Sequence, residues 1–163
     1  MAVRTSSGRA APTPRPGSSL SRPDSPARTR SRSGPPRNIG YGFVVRINSA
    51  NANVQLGASP PVGAEYFDAN LTATNAGGRL SNLSLDFGFS AAGSHARYHT
   101  DDGHGCTDPG PQPALDAFDP FEPGEFRTGY VCWTIAAEDA GSLELYFGSG
   151  TFAAPRTTWF ALH

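Results

Sequence analysis

From residue 43 to the end of the chain, apolar and polar side chains alternate with a period of two. Phe43, Val45 and Ile47 alternate with Val44, Arg46 and Asn48, and Phe67, Ala69, Leu71 and Ala73 alternate with Asp68, Asn70, Thr72 and Thr74. Leu83, Leu85, Phe87 and Phe89 are spaced by Ser84, Asp86 and Gly88, and Val131, Trp133 and Ile135 by Cys132 and Thr134. Leu143, Leu145 and Phe147 flank Glu144 and Tyr146, and residues 157–162 are rich in aromatic and β-branched side chains. Successive strand side chains point to opposite faces, so this period predicts strands with one buried and one wet face. Turn residues punctuate the runs at 59–63, 75–78, 92–93, 122–124 and 139–141. One short helical turn is expected at 136–140. The pattern predicts an all-β antiparallel β-sandwich of six or seven strands.

Composition divides the chain. Glycine (19) and proline (15) are abundant in the 163 residues, which argues against a helical bundle. No apolar run is long enough for a helical membrane span. The net charge of −1 is an average: residues 1–40 carry eight arginines and one acid, Asp24, giving +7, and residues 41–163 carry five arginines and thirteen acids, giving −8. The first segment also holds seven prolines, eight serines and no aromatic residue, a composition that cannot bury enough apolar surface to offset its ordering entropy. Two regions follow, a disordered basic tail over 1–40 and the sandwich over 41–163. The tail's charge suits a solvated leader, docking onto its own acidic domain, or contact with a partner or nucleic acid; the lack of aromatic interleaving argues against nucleic acid.

No apolar h-region follows Met1, so the chain as it starts reads as cytoplasmic. The cysteines point the other way. Cys106 and Cys132 enclose a loop of about 27 residues; joined, they add about 3.5 kcal/mol in the chain-entropy model and imply an oxidising compartment. Two free thiols are the alternative. Cys132 has the opposite strand phase to Trp133, so a bridge would tack loop 101–113 onto the outside of a sheet.

The densest chemistry lies at 95–108, with His95, His99, Asp101, Asp102, His104, Cys106 and Asp108. His99, Asp101 and His104 are the candidate metal ligands, since a site needs three or four converging donors. Their spacing matches no established ligand signature, and solvated turn residues account for them equally. The acidic run 116–125 has oxygen donors but no EF-hand spacing, and reads as a solvated edge anchored by Phe118 and Phe121. No nucleophile elbow or phosphate loop is present, so no enzymatic activity and no cofactor are expected. The sequons at Asn70 and Asn82 fall on strands. With every basic residue an arginine, the composition suggests a GC-rich bacterial genome, in which the sequons would be accidental.

Residues 65–77 (Glu-Tyr-Phe-Asp-Ala-Asn-Leu-Thr-Ala-Thr-Asn-Ala-Gly), the Glu122-Pro-Gly-Glu125 turn with Gly129-Tyr-Val-Cys-Trp-Thr-Ile135, and Leu143-Glu-Leu-Tyr-Phe147 carry a resemblance. Together they resemble a family of small immunoglobulin-like domains in secreted proteins and lipoproteins of actinobacteria and other Gram-positive bacteria. The mycobacterial immunoprotective extracellular antigen belongs beside them. The resemblance spans residues 41–163 and implies an exported protein without catalytic residues. It also implies a cysteine on that strand paired with one in the preceding loop, as Cys132 and Cys106 would be. The expectation is a non-enzymatic, extracellular or envelope-associated domain with an unidentified protein or envelope partner. A metal-dependent protein built on loop 95–108, and an intracellular protein binding through its tail, are the alternatives.

Overall fold

A computed structural model of the chain describes residues 29–30, 34–83, 89–106, 110–148 and 157–163, with Thr29, Arg30, Asp101 and Asp102 described by their backbone alone. Among the described residues nine strands are formed: β1 (Thr29–Arg30), β2 (Arg37–Gly40), β3 (Phe43–Asn51), β4 (Ala64–Asn75), β5 (Ser90–Ala92), β6 (Arg97–His99), β7 (Phe126–Ala136), β8 (Glu144–Phe147) and β9 (Thr158–Ala161). All pairings between them are antiparallel. One sheet runs β1-β3-β4-β7, with β2 also on the outer edge of β3; the other runs β6-β5-β8-β9. The protein is therefore an antiparallel β-sandwich.

The period-two pattern fixes which face is buried. Phe43, Val45 and Ile47 of β3, Phe67, Ala69, Leu71 and Ala73 of β4, and Val131, Trp133 and Ile135 of β7 are buried, as are Leu145 and Phe147 of β8 and Phe160 of β9. Edge-to-face pairs tighten the core, with ring centroids 5.3 Å apart for Phe43 of β3 and Phe121 of the loop before β7 and 5.8 Å for Phe147 and Phe160 on neighbouring strands β8 and β9. Trp133 Nε1 donates to the Phe89 carbonyl at 3.3 Å, so the largest core ring also joins β7 to the chain entering β5.

Two elements modify the expected picture. Ile39 of β2 is buried in the core, so the boundary drawn at residue 40 from composition falls inside a β2–β3 hairpin. Arg37 Nη1 donates to the Trp159 carbonyl at 2.9 Å, and Thr158 Oγ1 to the Asn38 carbonyl at 3.3 Å, which ties β2 to β9 of the second sheet. The expected helical turn is a 3-10 turn over Ala137–Asp139. Of the expected strand over 83–89, Leu83 is buried and Phe89 packs on the core; residues 84–88 lie outside the described residues, as do residues 1–28 of the tail.

Candidate functional site

The three histidines of loop 95–108 have separate local partners. His95 Nδ1 donates to Asp139 Oδ1 at 2.8 Å, and the backbone N–H groups of His95 and Ala96 reach the same carboxylate at 3.0 and 3.1 Å. The Tyr98 hydroxyl completes the set, donating to Asp139 Oδ2 at 2.6 Å while accepting from the Ala136 N–H at 3.2 Å. Burial alone would raise the Asp139 carboxyl, but the hydrogen bonds from Tyr98 and His95 hold it below the usual carboxylate range. The Asp139 hydrogen bond, then the Glu138 charge, push His95 up. Burial and the Asp139 hydrogen bond push the Tyr98 phenol up to about 12. A Cβ on Gly93 would lie 2.2 Å from Asp139 Cγ, so only glycine lets the β5–β6 turn close over this carboxylate.

His99, in contrast, lies on β6, with Nδ1 2.6 Å from the Ser90 hydroxyl and its ring edge-on to Tyr146. His104 ends a π-helical turn, Thr100–His104, and packs edge-on against Tyr98 at 5.5 Å. The Asp101 side chain lies outside the described residues. Among the described residues no group of three His, Cys, Asp or Glu side chains is placed to hold a metal.

Cys106 and Cys132 are joined, with Cα atoms 5.5 Å apart. Cys132 sits on the outer face of β7, as its phase requires. Its loop also runs along the β7 edge: Gly105 bridges Trp133, Ala114 bridges Tyr130, and Leu115 and Tyr130 exchange hydrogen bonds with Tyr130 and Pro113 at 2.9 Å each. The segment thus covers an edge strand that would otherwise offer unpaired backbone groups. Gly129 permits the close approach, because a Cβ there would lie 2.5 Å from Leu115 N and Cα.

The feature that sequence reasoning missed is the end of the sandwich where β3 begins, β4 ends and β7 begins. Asn75, fully buried, organises it. Its Nδ2 donates to the Arg79 and Phe121 carbonyls at 2.7 and 3.0 Å, and its Oδ1 accepts from Gly77 N at 3.0 Å. Its backbone N–H donates to Glu125 O at 2.9 Å and its carbonyl accepts from Gly124 N at 2.7 Å. One side chain thereby fixes loops 76–82 and 118–125 together. Arg127 clamps the second loop from the other side: it stacks over Phe121 at 4.1 Å, pairs with Glu125 at 2.7 Å and donates to the Asp119 and Pro120 carbonyls. The hydrogen bond from Arg127, then that from the Glu122 N–H, lowers the Glu125 carboxyl.

These fixed loops hold apolar groups in water. Phe118 is 80% exposed and Leu80 58%; beside the loops, Phe126 at the start of β7 is 68% exposed and Tyr41 in the β2–β3 turn 46%. Of the two rings expected to anchor run 116–125, Phe121 does so, and Phe118 points out because Asn82 Nδ2 and Arg127 hold the loop by its backbone instead. A shallow cavity of about 490 Å³ opens beside them, lined by Tyr41, Gly42, Gly77, Gly78, Arg79, Leu80 and Ser81. Asn75-Ala-Gly-Gly78 and Glu122-Pro-Gly124 signalled this end in the sequence only as two ordinary turns.

No protein-family model matches the chain, and no curated protein does. Solved structures do. A functionally unknown protein from Listeria monocytogenes EGD-e aligns over 82% of this chain and 83% of its own, with 11% identity and a TM-score of 0.58. The candidate lipoprotein ycdA of Bacillus subtilis aligns over 73% of this chain at 14% identity and a TM-score of 0.54, and the aligned part is 35% of that protein. At such identities the likeness is one of fold.

Proposed function

We propose that the chain is an exported, non-enzymatic β-sandwich domain of the immunoglobulin-like kind carried by secreted proteins and lipoproteins of Gram-positive bacteria, and that it binds a partner through its Asn75 loop end. The observation that carries the binding role is the pair of exposed apolar side chains, Leu80 and Phe118, on loops fixed by a buried asparagine. Folding alone gives no reason to hold such groups in water, whereas rigid loops on a scaffold are where binding residues concentrate. The Cys106–Cys132 bridge supports an oxidising location, and the likeness to a candidate lipoprotein agrees with the cell envelope.

The test has two parts on protein recovered from its source cells. Alkylation without reductant, read by intact mass, is expected to modify neither cysteine and to place the chain in the envelope or medium; two modified thiols overturn export. Capture on envelope extract is expected to fall for Phe118→Ser with Leu80→Ser relative to the parent, and equal capture overturns the assigned surface.

A further inference from the structure

The loop end and the basic N-terminal segment are complementary. Residues 1–28 contain five arginines (Arg4, Arg9, Arg15, Arg22 and Arg28) against Asp24, and five prolines (Pro12, Pro14, Pro16, Pro23 and Pro26). The loop end offers what such a segment recognises. Proline rings and guanidinium planes stack on aromatic faces, and proline-rich chains dock on aromatic-lined surfaces at small entropic cost. The segment that carries exposed Phe118 also carries Asp116, Asp119, Glu122 and Glu125, four carboxylates against the guanidiniums of Arg79 and Arg127, the latter paired with Asp116 at 3.4 Å and Glu125 at 2.7 Å. Arg127, stacked on Phe121 and paired with Glu125, already shows an arginine held in this setting.

The tether has the right reach. β1 pairs Arg30 with Ala50, and the loop end begins where β3 starts, at Phe43. Seven residues of strand separate those positions, roughly 23 Å at the usual rise. An unconstrained chain of 28 residues has a root-mean-square span of roughly 29 Å. A tether whose span matches the gap gives a local concentration on the order of millimolar, enough to fill a weak site.

We infer that residues 1–28 of this chain dock on its own Asn75 loop end, as an intramolecular Arg/Pro-rich ligand that an external partner must displace. The inference rests on the loop end being the binding surface. The docking neutralises opposite charges that the net value of −1 conceals, and it caps the exposed rings until a partner competes.

The composition supplies its own probe. All thirteen basic side chains are arginine, so the α-amino group is the only primary amine and accepts a single amine-reactive nitroxide. In the isotope-labelled chain, relaxation enhancement is expected to erase the amide signals of Leu80 and Phe118 and to spare the opposite end of the sandwich, around His95 and Asp139. Concentrated salt, or Phe118→Ser with Leu80→Ser, is expected to restore them while sheet resonances stay dispersed. Enhancement that is uniform, that maps to a sheet face, or that survives both treatments overturns the docking. If envelope capture is still lost in the double variant, only the self-docking has failed; if capture is unchanged as well, the binding surface itself has failed.

Discussion

Tyr98 and Asp139 join the two sheets through one 2.6 Å hydrogen bond, the phenol on β6 and the carboxylate on the turn that leaves β7. Removing the hydroxyl takes a donor from a fully buried carboxylate and an acceptor from the Ala136 N–H. Tyr98→Phe is expected to lower unfolding free energy by about 2–3 kcal/mol, read from urea melts at fixed slope.

Gly93 and Gly129 give a paired test of close approach. Gly93→Ala drives a methyl into Asp139, and Gly129→Ala drives one into the backbone of Leu115. Each is expected to cost about 2–3 kcal/mol or more, whereas Gly141→Ala, with nothing within 4 Å, is expected to change stability little. Hydrogen exchange separates the two damaging variants. Gly129→Ala should deprotect residues 113–115, and Gly93→Ala the turn around His95.

Asn75→Ala deletes three side-chain hydrogen bonds at a buried site and strands the Arg79 and Phe121 carbonyls. A loss of about 2–4 kcal/mol is expected, with amide exchange rising across 76–82 and 118–125 before it rises in β4 or β7.

The His95–Asp139 pair has a defined pH response. The folded pKa of Asp139 is depressed, so its contribution is present above the ordinary carboxylate value and is lost as pH falls through the folded one. That of His95 is raised, so its contribution is present below 6.5 and is lost as pH rises through the folded value. The urea midpoint is therefore expected to fall as pH rises from 6.5 through the raised folded value of His95, and His95→Ala should flatten that limb. A limb of equal slope in the variant would remove His95 as its source.

Asp68 behaves in the opposite sense to Asp139. It is 4% exposed, burial raises its carboxyl, and the hydrogen bond from Asn51 Nδ2 at 2.7 Å only partly offsets this. Its contribution is present below the ordinary carboxylate value and is lost as pH rises through the raised one. Asp68→Asn keeps an acceptor for Asn51 without the charge, and a gain on the order of 1 kcal/mol at neutral pH is expected in urea melts.

The sandwich was legible because β3, β4 and β7 carry their burial pattern in strict alternation, and a two-sheet core needs little else. Cys132 was placed on the correct face by that same phase. What the chain order hid were residues whose roles exist only across long separations. Asn75 bonds Phe121 and Asp139 bonds Tyr98, 46 and 41 residues away, and each is locally an unremarkable turn residue. Phe118 misled for a related reason. An aromatic ring in an acidic loop reads as an anchor unless backbone hydrogen bonds already hold the loop, and here Arg127 and Asn82 supply them. Ile39 was missed because a four-residue edge strand in an arginine- and proline-rich stretch is too short for alternation to show.

The Arg37–Trp159 hydrogen bond has a mechanical consequence. A pull on the N-terminal segment would first peel the two-residue β1 from β3. It would then meet β2, which is bonded to β3 along its length, fastened to β9 by Arg37 and Thr158, and rooted in the core by Ile39. Force would be shared between both sheets at that point. A partner tugging on the tail would thus release a short fuse while leaving the sandwich intact.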